Sequence, residues 1–257
     1  MSPIIGTDMS YAELHFHLLP GIDDGPATLE ESVELAAAAA AQGTETIVTT
    51  PHVHAQWVTD VSSLPDRVRE VAEKLAARRI QIDVRCGGEL DKDMVSRLSQ
   101  HELDTIAQGP PGRRWLLLEA PLGGIDRTYT AAANELRERG FAVVVAHPER
   151  ALRWSDAGWE TLEHELAAGS VVQINAWSVA GLYGEMVRAT ALWLLRTAPQ
   201  AVVASDAHGG SRMPALGLAL DSLAAARIPD PQRLLDAVPN GLLEHGLAVG
   251  SDSSLAA

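Results

Sequence analysis

One punctuation recurs along the chain and restricts its fold: a helical stretch, a single glycine, a short apolar run, then a polar residue. Its first occurrence is the best marked. Thr28 is a good helix N-cap and Glu31 completes a Thr-x-x-Glu capping box, Gly43 stops the alanine run, and Thr46-Ile47-Val48-Thr49-Thr50 closes at Pro51-His52. A helix near 127–139 ends at Gly140, and Phe141-Ala142-Val143-Val144-Val145-Ala146 runs into His147. A helix near 157–168 ends at Gly169, and Val171-Val172-Gln173-Ile174-Asn175 follows. Residues 13–17, 80–88, 114–119 and 201–205 read as further strands, and 64–78, 91–106, 180–197 and 215–226 as further helices. Apolar strands alternating with helices predict an α/β fold with a parallel sheet under helices. About seven strands suit a closed barrel better than a short open sheet. No linker interrupts the pattern, so residues 1–250 read as one domain. Beyond residue 228, Pro229, Pro231 and Pro239 break the rhythm, and 251–257 reads as a frayed tail.

Composition excludes several functions. A net charge of -14 works against binding a phosphate backbone, so nucleic acid is not an expected partner. The single cysteine, Cys86, forms no intrachain disulfide, which fits a reducing compartment. Residues 1–8 lack the basic and apolar regions of a signal peptide. The alanine run is too short to span a membrane and has Glu30, Glu31 and Glu34 beside it. The expectation is a cytoplasmic protein that does not insert in membranes.

The polar residues that close the strands carry the chemistry. In Glu13-Leu14-His15-Phe16-His17, alternation puts His15 and His17 on one face. The turn that follows supplies Asp24. His52, Glu89, Glu119, His147, Asp206 and His208 stand at later strand ends, the last two repeating the same-face spacing. Singly, each has a plain structural reading: a solvated loop carboxylate at Glu89, a satisfied core histidine at His147. Together they form a set of metal-ligand types at the end of the sheet where parallel barrels keep their sites. Four carboxylates and five imidazoles suffice for about three divalent ions and a bridging hydroxide, with a net charge of roughly +1 that would attract a phosphate dianion. Arg150, three residues after His147, and Arg212, after Gly209-Gly210-Ser211, are candidates for holding phosphoryl oxygens. His54, His101, His164 and His245 fall in loops or helical stretches and read mostly as surface residues.

These segments, HFHLLPGIDDGP, TTPH, GGEL, LLLEAP, VVVAHPER, AGLYG and ASDAH, occur in family order from Glu13 to His208. The chain resembles the PHP (polymerase and histidinol phosphatase) metallophosphoesterases. Within them it is most similar to the manganese-dependent bacterial protein-tyrosine phosphatases of capsular and exopolysaccharide operons, the CpsB/YwqE type. The resemblance implies a distorted (β/α)7 barrel with three metal ions, manganese first and iron or zinc as alternatives. It implies one ion on His15, His17, Glu89 and Asp206, a second on Glu89, Glu119 and His147, and a third on Asp24, His52 and His208. Arg150 would bind substrate, as would Arg212, although its loop is one residue shorter than the family's. The implied reaction is direct attack of metal-bound hydroxide on a phosphomonoester. The implied substrate is a phosphotyrosine protein such as a tyrosine kinase of polysaccharide assembly. The residues oppose a thiol mechanism, because Lys92 stands where a thiolate phosphatase needs arginine, six positions after the cysteine. The alternatives are a PHP phosphatase for a small ester such as histidinol phosphate, and a non-catalytic metal-stabilised module. A carboxylated-lysine amidohydrolase is disfavoured, since the only lysines are Lys74 and Lys92.

Overall fold

The computed structural model describes residues 10–152 and 156–250. The strands are β1 Tyr11–Phe16, β2 Thr44–Thr49, β3 His52–Val53, β4 Asp83–Cys86, β5 Glu89–Leu90, β6 Trp115–Glu119, β7 Ala142–Ala146, β8 Val171–Asn175 and β9 Ala201–Ala204. The α-helices are α1 Leu29–Ala40, α2 Leu64–Ala77, α3 Gln100–Ile106, α4 Arg127–Glu138, α5 Pro148–Ala151, α6 Asp156–Ala167, α7 Ala176–Val179, α8 Glu185–Thr197, α9 Leu216–Ala225 and α10 Ala237–His245. Every ladder is parallel, as an alternation of strand and helix requires. The hydrogen-bonded order is β1-β2-β4 in one piece and β3-β5-β6-β7-β8-β9 in another.

The seven expected strands are present, two of them broken at the same level. Thr50-Pro51 separates β2 from β3, and proline has no N–H to give a ladder. Gly87-Gly88 separates β4 from β5. There the strands approach so closely that a Cβ on Gly87 would lie 2.6 Å from Val48 Cγ1 and 2.9 Å from the Thr49 carbonyl oxygen. The seam between β9 and β1 is bridged rather than laddered. The Asp206 N–H donates to the His15 carbonyl at 3.0 Å and the His17 N–H to the Ala207 carbonyl at 2.9 Å. Across the same seam the Ser205 N–H donates to Glu13 Oε2 at 2.7 Å. The result is a distorted α/β barrel with interrupted ladders.

Its interior is divided along the axis. The lower half is apolar: Ala12, Leu14, Trp115, Leu117, Val144, Val171 and Val202 pack with Leu242, Leu243 and Leu247 from and beyond α10. Trp115 Nε1–H donates to the Leu242 carbonyl at 3.0 Å, fixing α10 under the barrel. The outward faces, including Leu116, Leu118, Val143, Val145, Val172 and Ile174, bury against the helices. The upper half is polar, and the candidate ligands gather there.

Three elements differ from the sequence reading. The helix expected over 91–106 is a 3₁₀ turn, Lys92–Arg97, followed by α3, because Ser99 and Glu102 form a full capping box that starts a new helix. The helix expected over 180–197 starts at Glu185, since Gly181 (φ +80°) and Gly184 (φ +96°) adopt the left-handed region. Pro239, read as an interruption, is the third residue of α10, where its missing N–H has no intrahelical partner to lose. The tail, 251–257, and the leading residues 1–9 lie outside the described residues. Among those described, no helix is long and apolar enough to cross a membrane.

Candidate metal centre

The centre starts from an irregularity in β1. A bulge falls between Glu13 and Phe16, so Leu14 packs into the inner apolar cluster while His15 and His17 face the pocket above it. Their Nε2 atoms lie 3.3 Å apart. Each imidazole is aimed by the bond at its other nitrogen. His15 Nδ1 is 2.9 Å from Gln173 Oε1 at the end of β8, and His17 Nδ1 is 2.7 Å from Asp23 Oδ2. Glu89, on the short β5, reaches the middle of the pocket and is only 1% exposed. Its Oε2 lies 3.2 Å from His15 Nε2, 3.3 Å from His17 Nε2 and 3.0 Å from His52 Nδ1, and its Oε1 lies 2.7 Å from His147 Nε2. Asp206 Oδ1 lies 3.3 Å from His15 Nε2 and 3.5 Å from His17 Nε2. Asp24 Oδ1 lies 3.1 Å from His208 Nε2 and 3.4 Å from His52 Nε2. His52, Glu89 and Glu119 also bring ligand atoms within 4.8 Å of one another. All nine residues singled out from the sequence thus converge on one pocket.

Two of them, His147 (φ 36°) and Asp206 (φ 51°), sit in the left-handed region at strand ends. That conformation costs a non-glycine residue about 1–3 kcal/mol and persists where surrounding structure imposes it. Here Glu149 imposes it after β7: its Oε1 accepts the Asn175 N–H at 3.0 Å and the Ser178 hydroxyl at 2.6 Å, pinning the HPER turn against β8 and α7.

The donor set fits metal ions. Around His15, His17, Glu89 and Asp206, five of the six donor–donor separations are 3.2–3.5 Å. Imidazole nitrogens and carboxylate oxygens brought this close together, with His15 and His17 shared by both acids, are the donor types that hold a divalent cation. Among the described residues, Glu89 Oε2 and His208 Nε2 are buried and, despite their close imidazole and carboxylate neighbours, make no hydrogen bond, as donor atoms meant for a cation would. The electrostatics agree. Burial, then the neighbouring Glu89 charge, pushes the Glu119 carboxyl up to about 7, a cost that a cation between the two removes. Burial alone would lower the pKa of His17, but the Asp23 and Glu89 carboxylates outweigh it and lift it to about 9. Burial likewise opposes charge on His52, but Glu89 and Asp24 lift it to about 11. The carboxylates of the pocket favour positive charge at His17 and His52, and metal ions compete for that same negative charge.

Both candidate arginines stand at the rim. Arg150 Nη1 donates to Asp206 Oδ2 at 3.1 Å and Arg212 Nη2 to the same oxygen at 2.6 Å. A tight turn brings Arg212 back to the rim, with its N–H donating to the Gly209 carbonyl at 2.8 Å. The four remaining histidines lie outside the groups described, and Lys74 and Lys92 pair with Glu30 and Asp93 on the exterior. Burial pushes the Cys86 thiol up to about 11.

Sequence reasoning missed Asp23, Gln173, Asn175 and Tyr183. Asn175 Nδ2 donates to Asp206 Oδ2 at 2.7 Å, and the Tyr183 ring lies 4.6 Å from the Arg150 guanidinium carbon. Gln173 and Asn175 did leave a signal, two polar residues alternating at the end of an apolar strand.

Known proteins share this architecture. The sequence profile described as capsular polysaccharide synthesis, CpsB/CapC, matches residues 11–228. The chain is 33% identical over 206 residues to the tyrosine-protein phosphatase YwqE of Bacillus subtilis, covering 76% of each chain. It is 28% identical over 231 residues to the tyrosine-protein phosphatase CpsB of Streptococcus pneumoniae, covering 82% of this chain and 89% of that one. A solved structure from work on those two proteins, described as metal-dependent tyrosine phosphatases, superposes with a TM-score of 0.79 at 26% identity over 94% of this chain and 97% of the other. The chain belongs to the CpsB/CapC capsular polysaccharide synthesis family.

Proposed function

We propose that the protein is a metal-dependent protein-tyrosine phosphatase in which His15, His17, Asp24, His52, Glu89, Glu119, His147, Asp206 and His208 hold the metal ions. The named relatives support the activity. One observation in this chain carries it: the two oxygens of Asp206 face different partners. Oδ1 faces His15 and His17, while Oδ2 accepts from Arg150 and Arg212. Cation ligands and phosphate-binding groups are therefore one carboxylate apart. Divalent ions held by these residues would supply Lewis acidity there, acidifying water and offsetting negative charge on phosphoryl and phenolate oxygens. Arg150 and Arg212 bind and orient the remaining phosphoryl oxygens, exchanging Asp206 for the substrate dianion. Asp23, Gln173 and Asn175 hold His17, His15 and Asp206 in register.

In this reading three ions are bound, manganese natively, with iron or zinc as substitutes. The substrate is a phosphotyrosine protein of polysaccharide assembly, such as a tyrosine kinase, met in the cytoplasm. The test combines metal analysis with turnover of a phosphotyrosine peptide and of histidinol phosphate, before and after chelation. Metal-dependent preference for the peptide is expected. Preference for histidinol phosphate, or no phosphate release from either with manganese added, overturns the reading.

A further inference from the structure

Arg150 has to be held in place as well as brought to the rim. It rides on α5, a single turn of helix, which fixes a side chain weakly. Its hydrogen bond to Asp206 Oδ2 is one that an arriving phosphate must displace. Its other described contact is of a different kind. The face of the Tyr183 ring lies 4.6 Å from Cζ, and a cation–π contact uses none of the guanidinium's in-plane donors.

Tyr183 is presented by the turn between α7 and α8, shaped by Gly181 and Gly184 in the left-handed region. The Leu182 N–H donates to the Trp177 carbonyl at 3.0 Å, which closes that turn onto α7. The Trp177 ring backs Tyr183 at 6.0 Å, and its Nε1–H donates at 3.0 Å to the Met213 carbonyl, beside Arg212. The aromatic pair therefore stands between the segments carrying the two arginines. The Tyr183 hydroxyl is buried and has no hydrogen-bond partner among the described residues. The contact that Tyr183 makes with Arg150 is made by its ring.

We propose that Tyr183 is a positioning residue, whose ring face holds the Arg150 guanidinium in the plane needed to receive a phosphoryl group. The inference rests on the reading that Arg150 binds substrate phosphate. The test compares Tyr183→Phe with Tyr183→Leu and Tyr183→Met, using metal content, melting temperature, KM and kcat on a phosphotyrosine peptide, and calorimetric titration of the metal-loaded protein with inorganic phosphate. The Phe variant keeps KM and the phosphate Kd within about twofold and melts no lower than the parent. The Leu and Met variants raise KM and the phosphate Kd about five- to thirty-fold, with kcat and metal content much less affected. Leu and Met variants that match the parent overturn the proposal. So does a Phe variant as impaired as Leu, which would give the role to the hydroxyl. Loss of metal or of folding in both ringless variants also overturns it, since that marks a packing role. A parent protein that binds phosphate but hydrolyses no aryl ester sinks the phosphatase reading instead, while the phosphate titrations still decide on Tyr183.

Discussion

Glu89 shows how far a single side chain can be read from sequence. After Gly87-Gly88 its plain reading alone is a loop carboxylate, its place among the strand-end ligands makes it a candidate ligand, and in the structure it is buried and touches four of the five histidines of the pocket. Its importance lies in being shared, and sharing is a three-dimensional property. Glu89→Gln keeps the shape and removes the charge. We expect metal content to fall and phosphotyrosine hydrolysis to drop at least about 100-fold, with the circular dichroism spectrum retained. A variant that binds metal like the parent would remove Glu89 from the ligand set. Cys86 makes the opposite case. With its thiol raised from 9.0 to about 11, the thiolate fraction at pH 8 is about 100-fold below that of a free cysteine. Alkylation of the folded protein should be slow at pH 8 and accelerate about tenfold per pH unit toward 11. Cys86→Ser should retain activity; loss of hydrolysis in a folded Cys86→Ser protein would point to thiol chemistry instead. The His15/His17 pair was legible because residues two apart at the end of a strand point the same way, and here they still do so across the bulge. Asp23 and Tyr183 were not, because they act through neighbours that sequence does not place beside them.

At the level of elements, the apolar runs named the strands, and the glycines after α1, α4 and α6 marked helix ends. What they left out was where strands break. Gly87 is a plain glycine in sequence, but in space it is the point where two strands come too close for a side chain. Gly87→Ala should destabilise the fold by about 1–3 kcal/mol. Gly123→Ala, where nothing lies within 4 Å of the added carbon, should stay within about 0.5 kcal/mol. Urea unfolding of the two variants tests this, and equal midpoints would mean the β4–β5 junction tolerates a methyl group. The left-handed backbones of His147 and Asp206 were equally hidden, since neither position carries glycine to advertise its φ. They turn the chain sharply just as each strand delivers its ligand.

For the whole molecule, strand number was legible and strand pairing was not. Nothing in the order of residues says that β9 meets β1 through bridges rather than a ladder. That seam matters for stability, because His15, His17 and Asp206 flank it and the same cations would tie its two sides together. Chelation should therefore lower the melting temperature. With free metal about 100-fold above its Kd, binding contributes about 2.7 kcal/mol, or about 5–10 °C for a chain of this size. Identical melting curves with and without a chelator would mean that the seam needs no cation.

The underside of the barrel carries one more consequence. The family match stops at residue 228, yet Leu242, Leu243 and Leu247 lie beyond it and press up against Trp115 and Leu117. A fragment trimmed to the matched segment would keep every histidine and acid of the pocket and lose its stopper. Water entering from below would wet the low-dielectric space under Glu89 and relax the charges whose crowding calls for a cation.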